Sequence, residues 1–300
     1  MVYTGHFAAA VLGCYLTAYT LVRARWTAAS PRVAIICWQA LGLALGLSAV
    51  GIPISLGLMP YGESTGQALR ALAVDLAAGT LPPGMTVGHL SLVGIGIGIA
   101  SVLVGSTVAS LRAALKARKR QRDLLKLVAR VDPKAPGALV LDHPTAAAYC
   151  VPGLRSRIVV SAGTLSLLDR AELAALLAHE RAHARERHDL VLLPFTALCR
   201  ALAGVRWITE AYATVALLVE MRADDEARRR HADAPLAAAL TRFRAAPKIT
   251  PAGTLGAADG DLEARVRRLR EPAKPTPFLG NCALAVAMTL AWLPISLFLS

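Results

Sequence analysis

Apolar residues fall into long uncharged blocks near both ends of the chain and into shorter periodic patterns between them. Residues 2–22 carry no charge and are stopped by Arg23 and Arg25. Similar blocks cover about residues 33–58, 85–111 and 277–299. Each reaches the roughly 20 residues that an α-helix needs to cross a bilayer. The first block lacks a basic leader and its basic residues follow it, which reads as a span and not as a signal peptide. The third holds Gly94-Ile95-Gly96-Ile97-Gly98, a run of small residues that lets another helix approach closely. Residues 60–84 read as a loop, and His6 and His89 as helix-packing polar groups.

Between residues 112 and 276 the pattern changes. Residues 137–141 and 157–161 read as short strands, the second rich in β-branched side chains, with the turn signal Pro152-Gly153 between them. The strand at 157–161 is expected at a sheet edge. Asp169 followed by Glu172 predicts a capped helix, and Leu173, Leu176 and Leu177 give it an apolar stripe. Residues 190–218 are apolar but interrupted by Pro194, Arg200, Arg206 and Glu210, so they predict core helices that touch the membrane surface at most. Residues 248–260 read as a Pro/Gly-rich loop, and 262–269 as a short amphipathic helix.

The fold class expected is therefore a mainly α, multi-pass membrane protein. Three transmembrane helices (residues 1–111) precede an α+β domain (112–276), and a fourth helix (277–300) closes the chain. Composition agrees: 55% of residues are hydrophobic and the mean hydropathy is +0.49, high for a water-soluble enzyme. The net charge of +13 is unevenly placed. Of 33 Lys and Arg, only Arg23, Arg25, Arg32 and Arg70 precede Arg112, which leaves 29 in the inserted domain. The basic loop after the first span and the run from Arg112 to Arg122 put both termini outside and the domain in the cytoplasm, with the plasma (inner) membrane as location. That basic run reads as a helix facing anionic lipid, and no direct nucleic-acid binding is expected. The five cysteines show no C-x-x-C spacing and predict neither a disulfide nor a thiolate zinc site.

The candidate chemistry lies in the capped helix. His179-Glu180-Arg181-Ala182-His183 is an H-E-x-x-H pattern. Residues i and i+4 share a helix face, so both imidazoles can hold one metal ion. Glu180 is placed to take the proton of a metal-bound water. Glu186 is roughly 10 Å along the axis from His179, too far to join both histidines. A third His six residues after His183 is missing, because that position is Asp189. Downstream, Glu220 and Asp224 are again i and i+4. Glu220 completes a His₂Glu set for Zn²⁺, and Asp224 is expected to hydrogen-bond the outer nitrogen of a ligand histidine. Tyr212 and His231 are candidate oxyanion donors. His143 and His188 have weaker claims, His188 being off the ligand register.

HERAHARERHD followed by E-x-x-A-D resembles the gluzincin membrane peptidases, specifically the BlaR/MecR-type antirepressor metallopeptidases, with the HtpX and CAAX prenyl-protease group as relatives. The resemblance covers about residues 145–269. It implies a zinc endopeptidase whose protein substrate is a cytoplasmic transcriptional repressor, and an edge strand that takes an extended peptide. Three spans before the domain and one after it resemble the BlaR/MecR layout. That family's penicillin-binding sensor follows its last span, whereas this sequence stops there, so direct β-lactam sensing is not expected. Residues 248–260 are the expected place for self-cleavage. Two rival readings are an HtpX-like quality-control protease and a non-catalytic membrane scaffold.

Overall fold

The computed structural model describes residues 2–153, 156–245, 259–271 and 276–299, and divides the chain into two compact units. The first comprises Met1–Val108, Ala197–Ile208 and Thr276–Ser300. The second comprises Ala109–Thr196 and Thr209–Pro275.

The first unit is helical: α1 (Val2–Arg23), α2 (Arg25–Ala29), α3 (Pro31–Gly57), α4 (Thr65–Ala78), the start of α5 (Val87–Val128) and α13 (Pro277–Leu299). Among the described residues four helices are long and apolar enough to cross a membrane: Thr4–Arg23, Pro31–Gly57, Val87–Val128 and Pro277–Leu299. α3 packs against both α1 and α13. The rings of Phe7 and Phe298 lie 5.5 Å apart, and Phe7 fills the space over Gly51, where a Cβ would come within 2.4 Å of it. Of the glycine run only Gly96 serves a close approach. A Cβ there would stand 2.4 Å from Ile54 Cγ1, whereas Gly94 and Gly98 face open space.

Two local features differ from expectation. Residues 60–84 contain a helix, α4, where a loop was expected. Ser64 caps it by accepting from Gln67 N at 3.4 Å, and Gly79 ends it at φ 70°. Ala68 and Leu72 then bury against Ile54, Leu58 and Val93, which supplies the stability that so short a helix lacks alone. The third apolar helix also does not stop near residue 111. It runs on through the basic stretch to Val128, since Ala, Leu, Lys, Arg and Gln favour a helix and no Gly or Pro interrupts them.

The second unit is built on a four-stranded sheet: β1 (Ala129–Val131), β2 (Ala138–Leu141), β3 (Ala148–Val151) and β4 (Arg157–Ser161), in the order β1-β2-β4-β3. β2 and β4 are parallel, and the outer pairs are antiparallel. The strand at 157–161 is thus interior, which corrects the expectation of an edge. Its residues from Ile158 to Ser161 are all buried, the mark of a strand covered on both faces. The edges are β1 and β3, neither of which sequence patterning singles out.

After β4 come α6 (Ala162–Leu167), α7 (Arg170–Glu186), α8 (His188–Val191), α9 (Leu193–Ala201), α10 (Arg206–Arg228), α11 (Asp233–Ala245) and α12 (Asp259–Arg270). α7 is the centre of this unit. Leu173, Leu176 and Leu177 pack on Val140, Ile158 and Val160 of the sheet. Ala175 and Ala178 face Leu236, Ala237 and Leu240 of α11 and Leu269 of α12. The leucines each contribute about 1.5–3 kcal/mol by leaving water, and the alanines let the helices come close. Most of the 248–260 loop, including its expected cleavage place, lies outside the described residues.

Candidate metal centre

α7 begins with the capping box read from the sequence. Asp169 Oδ1 accepts from Ala171 N and Glu172 N at 2.8 and 2.9 Å, and Glu172 Oε2 accepts from Asp169 N at 3.0 Å. With its start fixed and both faces packed, the helix holds His179 and His183 in register. Their Nε2 atoms lie 3.0 Å apart. α10 brings Glu220 against them, with Oε2 3.4 Å from His179 Nε2 and Oε1 3.4 Å from His183 Nε2. One ligand atom from each of the three residues lies within 4.8 Å of the other two. Tetrahedral zinc with bonds of roughly 2.0–2.1 Å needs donor atoms about 3.3 Å apart, so this donor set fits the ion. Two imidazoles and one carboxylate are also the ligand types that zinc prefers in open sites.

The groups behind the ligands are charged and mostly buried. Asp224 Oδ1 stands 2.9 Å from His179 Nδ1, an ion-pair distance whose approach falls short of an aligned hydrogen bond. Arg265 of α12 donates to both Asp224 oxygens, at 2.9 and 2.7 Å, and its Nη1 lies 2.8 Å from Glu220 Oε2. Burial disfavours the charged form of each carboxyl, but Arg265 and the histidines outweigh it and hold Asp224 and Glu220 well below the usual range. Burial likewise works against a charged His179. The Asp224 and Glu220 carboxylates prevail and raise it to about 9. His183 goes the other way, to about 3, because burial dominates there. His179 is therefore the charged ring and His183 the neutral one at neutral pH in the metal-free protein, with their Nε2 atoms facing each other where the donors converge.

Glu180 is buried, and burial lifts its carboxyl to about 7. The backbone amide of Cys150 in β3 lies near enough to favour its charged form slightly, so the sheet edge passes beside it. Burial raises the Cys150 thiol to about 12, which leaves it an unreactive neutral group at neutral pH. Tyr212 stands on α10 eight residues before Glu220, roughly 12 Å along the axis. His231 follows the end of α10, its N–H bonded to Ala227 O. The structure brings together His179, Glu180, His183, Glu220 and Asp224, and places Tyr212 and His231 farther along.

Two site residues were not legible in the sequence. Arg265 lay within the stretch of family resemblance, but no local signal tied it to Glu220. His188 is off the i, i+4 ligand register, yet its Nδ1 lies 2.9 Å from His183 Nδ1 and the rings meet edge to face. The cause is the break at Arg187, whose φ of 51° is the sole left-handed non-glycine backbone among the described residues. It ends α7 and folds the chain back over His183.

Residues 114–243 match the model of Peptidase family M48. A "Protease HtpX homolog" of Chlorobium phaeobacteroides (strain BS1) is 36% identical over 136 residues, which is 41% of this chain and 45% of that protein. The matched region thus spans less than half of that curated relative. No solved structure matches.

Proposed function

We propose that the chain is a membrane-embedded zinc endopeptidase. The observation that carries this reading is the convergence of His179, His183 and Glu220 at zinc-like spacing with Glu180 on the next position of the same helix. The M48 match over residues 114–243 supports the peptidase class. His179 and His183 from α7 and Glu220 from α10 would hold Zn²⁺, which would polarise the scissile carbonyl and acidify the attacking water. Glu180 takes the proton from that water and returns it to the leaving amine. A carboxyl lifted by burial suits both steps, because its proton affinity lies near that of the operating medium. Asp224 holds His179, and Arg265 holds Asp224 and Glu220, so three of the groups are fixed before substrate arrives.

The substrate backbone is proposed to lie along β3. Ser161 N–H donates to Ala147 O across the antiparallel pair, so by the two-residue alternation of the strand the N–H groups of Ala148 and Cys150 face away from β4. An extended peptide can pair with those groups and bring one carbonyl to the metal.

Four apolar helices support residence in a bilayer, and the basic run from Arg112 to Arg122 supports a cytoplasmic active site. Two substrate classes follow from that placement: a cytoplasmic repressor cut in response to a signal, or membrane proteins cut for quality control. The HtpX-type relative favours the second. The experiment is a comparison of protein N-termini in cells carrying wild type or Glu180→Gln, with and without envelope stress. A stress-dependent cut in one DNA-binding protein selects the regulator, and cuts in many membrane proteins select quality control.

A further inference from the structure

We propose that His188 is a positioning residue for the metal ligand His183: its Nδ1 accepts the outer N–H of that ring, and Glu186, clamped by Arg222, holds His188 in the orientation and tautomer this requires. The inference rests on the zinc reading and gives the second ligand histidine an outer partner.

The direction of each proton follows from the metal. When His183 presents Nε2 to the ion as a neutral ring, its proton sits on Nδ1. That atom is 2.9 Å from His188 Nδ1, so His188 must accept there. A neutral His188 then carries its proton on Nε2, which faces Glu186 Oε2 at 3.4 Å. Glu186 accepts from Arg222 Nε at 2.9 Å and from its Nη2 at 2.5 Å, a two-pronged grip that fixes the carboxylate plane. Arg222 sits between Glu220 and Asp224 on α10, so the relay returns to the helix that supplies the third ligand.

The surroundings fit a built partner better than a space-filling ring. His188 is 4% exposed, and both of its nitrogens face a group that uses them. Its position also depends on Arg187 adopting a left-handed backbone, a conformation that disfavours any residue with a Cβ. Each ligand histidine then has its own outer partner: a carboxylate, Asp224, behind His179, and a histidine–carboxylate pair behind His183. Such outer partners change metal affinity about 10–100-fold when removed.

The test measures zinc dissociation constants for the full-length protein in detergent, by competition with a chromophoric chelator, in wild type, His188→Leu and His188→Asn. Leucine fills space but accepts nothing, whereas the asparagine oxygen can accept where Nδ1 did. The expected result is zinc weakened roughly 10–100-fold in His188→Leu and near wild type in His188→Asn, with the Co²⁺ absorption bands altered only in the leucine variant. Equal affinity in all three overturns the proposal, and so does equal weakening in both variants, which would mean packing alone. If His188→Leu does not fold, His188→Ala is read with and without added imidazole, where recovered affinity supports the role and no recovery overturns it. A wild type that binds no zinc removes the metal reading itself, an outcome distinct from either.

Discussion

Arg265 stands 2.8 Å from Glu220, so the carboxylate offered to the metal already faces a fixed cation. Arg265 is 5% exposed in its side chain and also grips Asp224, which is 1% exposed. Removing the guanidinium leaves two carboxylates facing each other behind the histidines. Arg265→Leu should lower stability by about 3 kcal/mol in metal-free protein. Bound zinc should recover part of it by supplying positive charge. Thermal unfolding in detergent, with chelator and with zinc, reads both numbers. An unchanged melting temperature in the metal-free variant would contradict the role given to Arg265.

Glu220→Ala should lose most of the metal, while Glu180→Gln should keep about one zinc per chain, because Glu180 is not a ligand. Elemental analysis of the two purified variants decides it. Full occupancy in Glu220→Ala would remove Glu220 from the ligand set.

Zinc binding should release a proton from His179. Its folded pKa of about 9 lies above the ordinary value near 6.5. In metal-free protein its charged form therefore adds stability that is complete below about pH 6.5 and lost as pH rises through about 9. Zinc must displace that proton, so affinity should rise about tenfold per pH unit between roughly 7 and 9 and level off above. Titration calorimetry in buffers of different ionisation enthalpy counts the protons. No proton release at pH 7 would contradict a charged His179.

Much of the site was readable before any coordinates, because His179 and His183, and again Glu220 and Asp224, are i and i+4 on helices with clear signals. The capping box from Asp169 to Glu172 formed as the spacing predicts. What stayed hidden depends on chain reversals and distant pairings. No propensity places Arg187 in the left-handed region, so His188 could not be counted near His183. β1 has only three residues and β3, Ala-Tyr-Cys-Val, shows neither alternation nor a β-branched run, and strand order is set by pairing. The interior position of β4 shows in the burial of Ile158 to Ser161, which follows from pairing with β2 and β3 on its two sides and not from its own five residues.

Ala148→Pro should weaken peptide turnover and leave zinc in place. Proline removes an outward N–H at the open edge without touching the ladder to β4, where edge strands tolerate it. The loss should appear in KM more than in kcat. A wild-type KM for extended peptides would put the substrate elsewhere.

A reporter fused after Arg122 should be cytoplasmic, and one inserted near Gly79 should be extracytoplasmic. The reverse labelling would place the metal centre across the membrane from cytosolic substrates.

Peptide hydrolysis at this centre, with Glu180 as the base, is open to direct measurement. The direct measurement is cleavage of an unstructured peptide by purified wild type and by Glu180→Gln, each with its zinc content known. Wild type should cut internally, stop with chelator and recover with zinc. Zinc-loaded Glu180→Gln should be slower by roughly 10²–10⁴-fold, the size of a general-base contribution. Cleavage at the wild-type rate by that variant, or none by zinc-loaded wild type across a varied peptide library, would contradict the account.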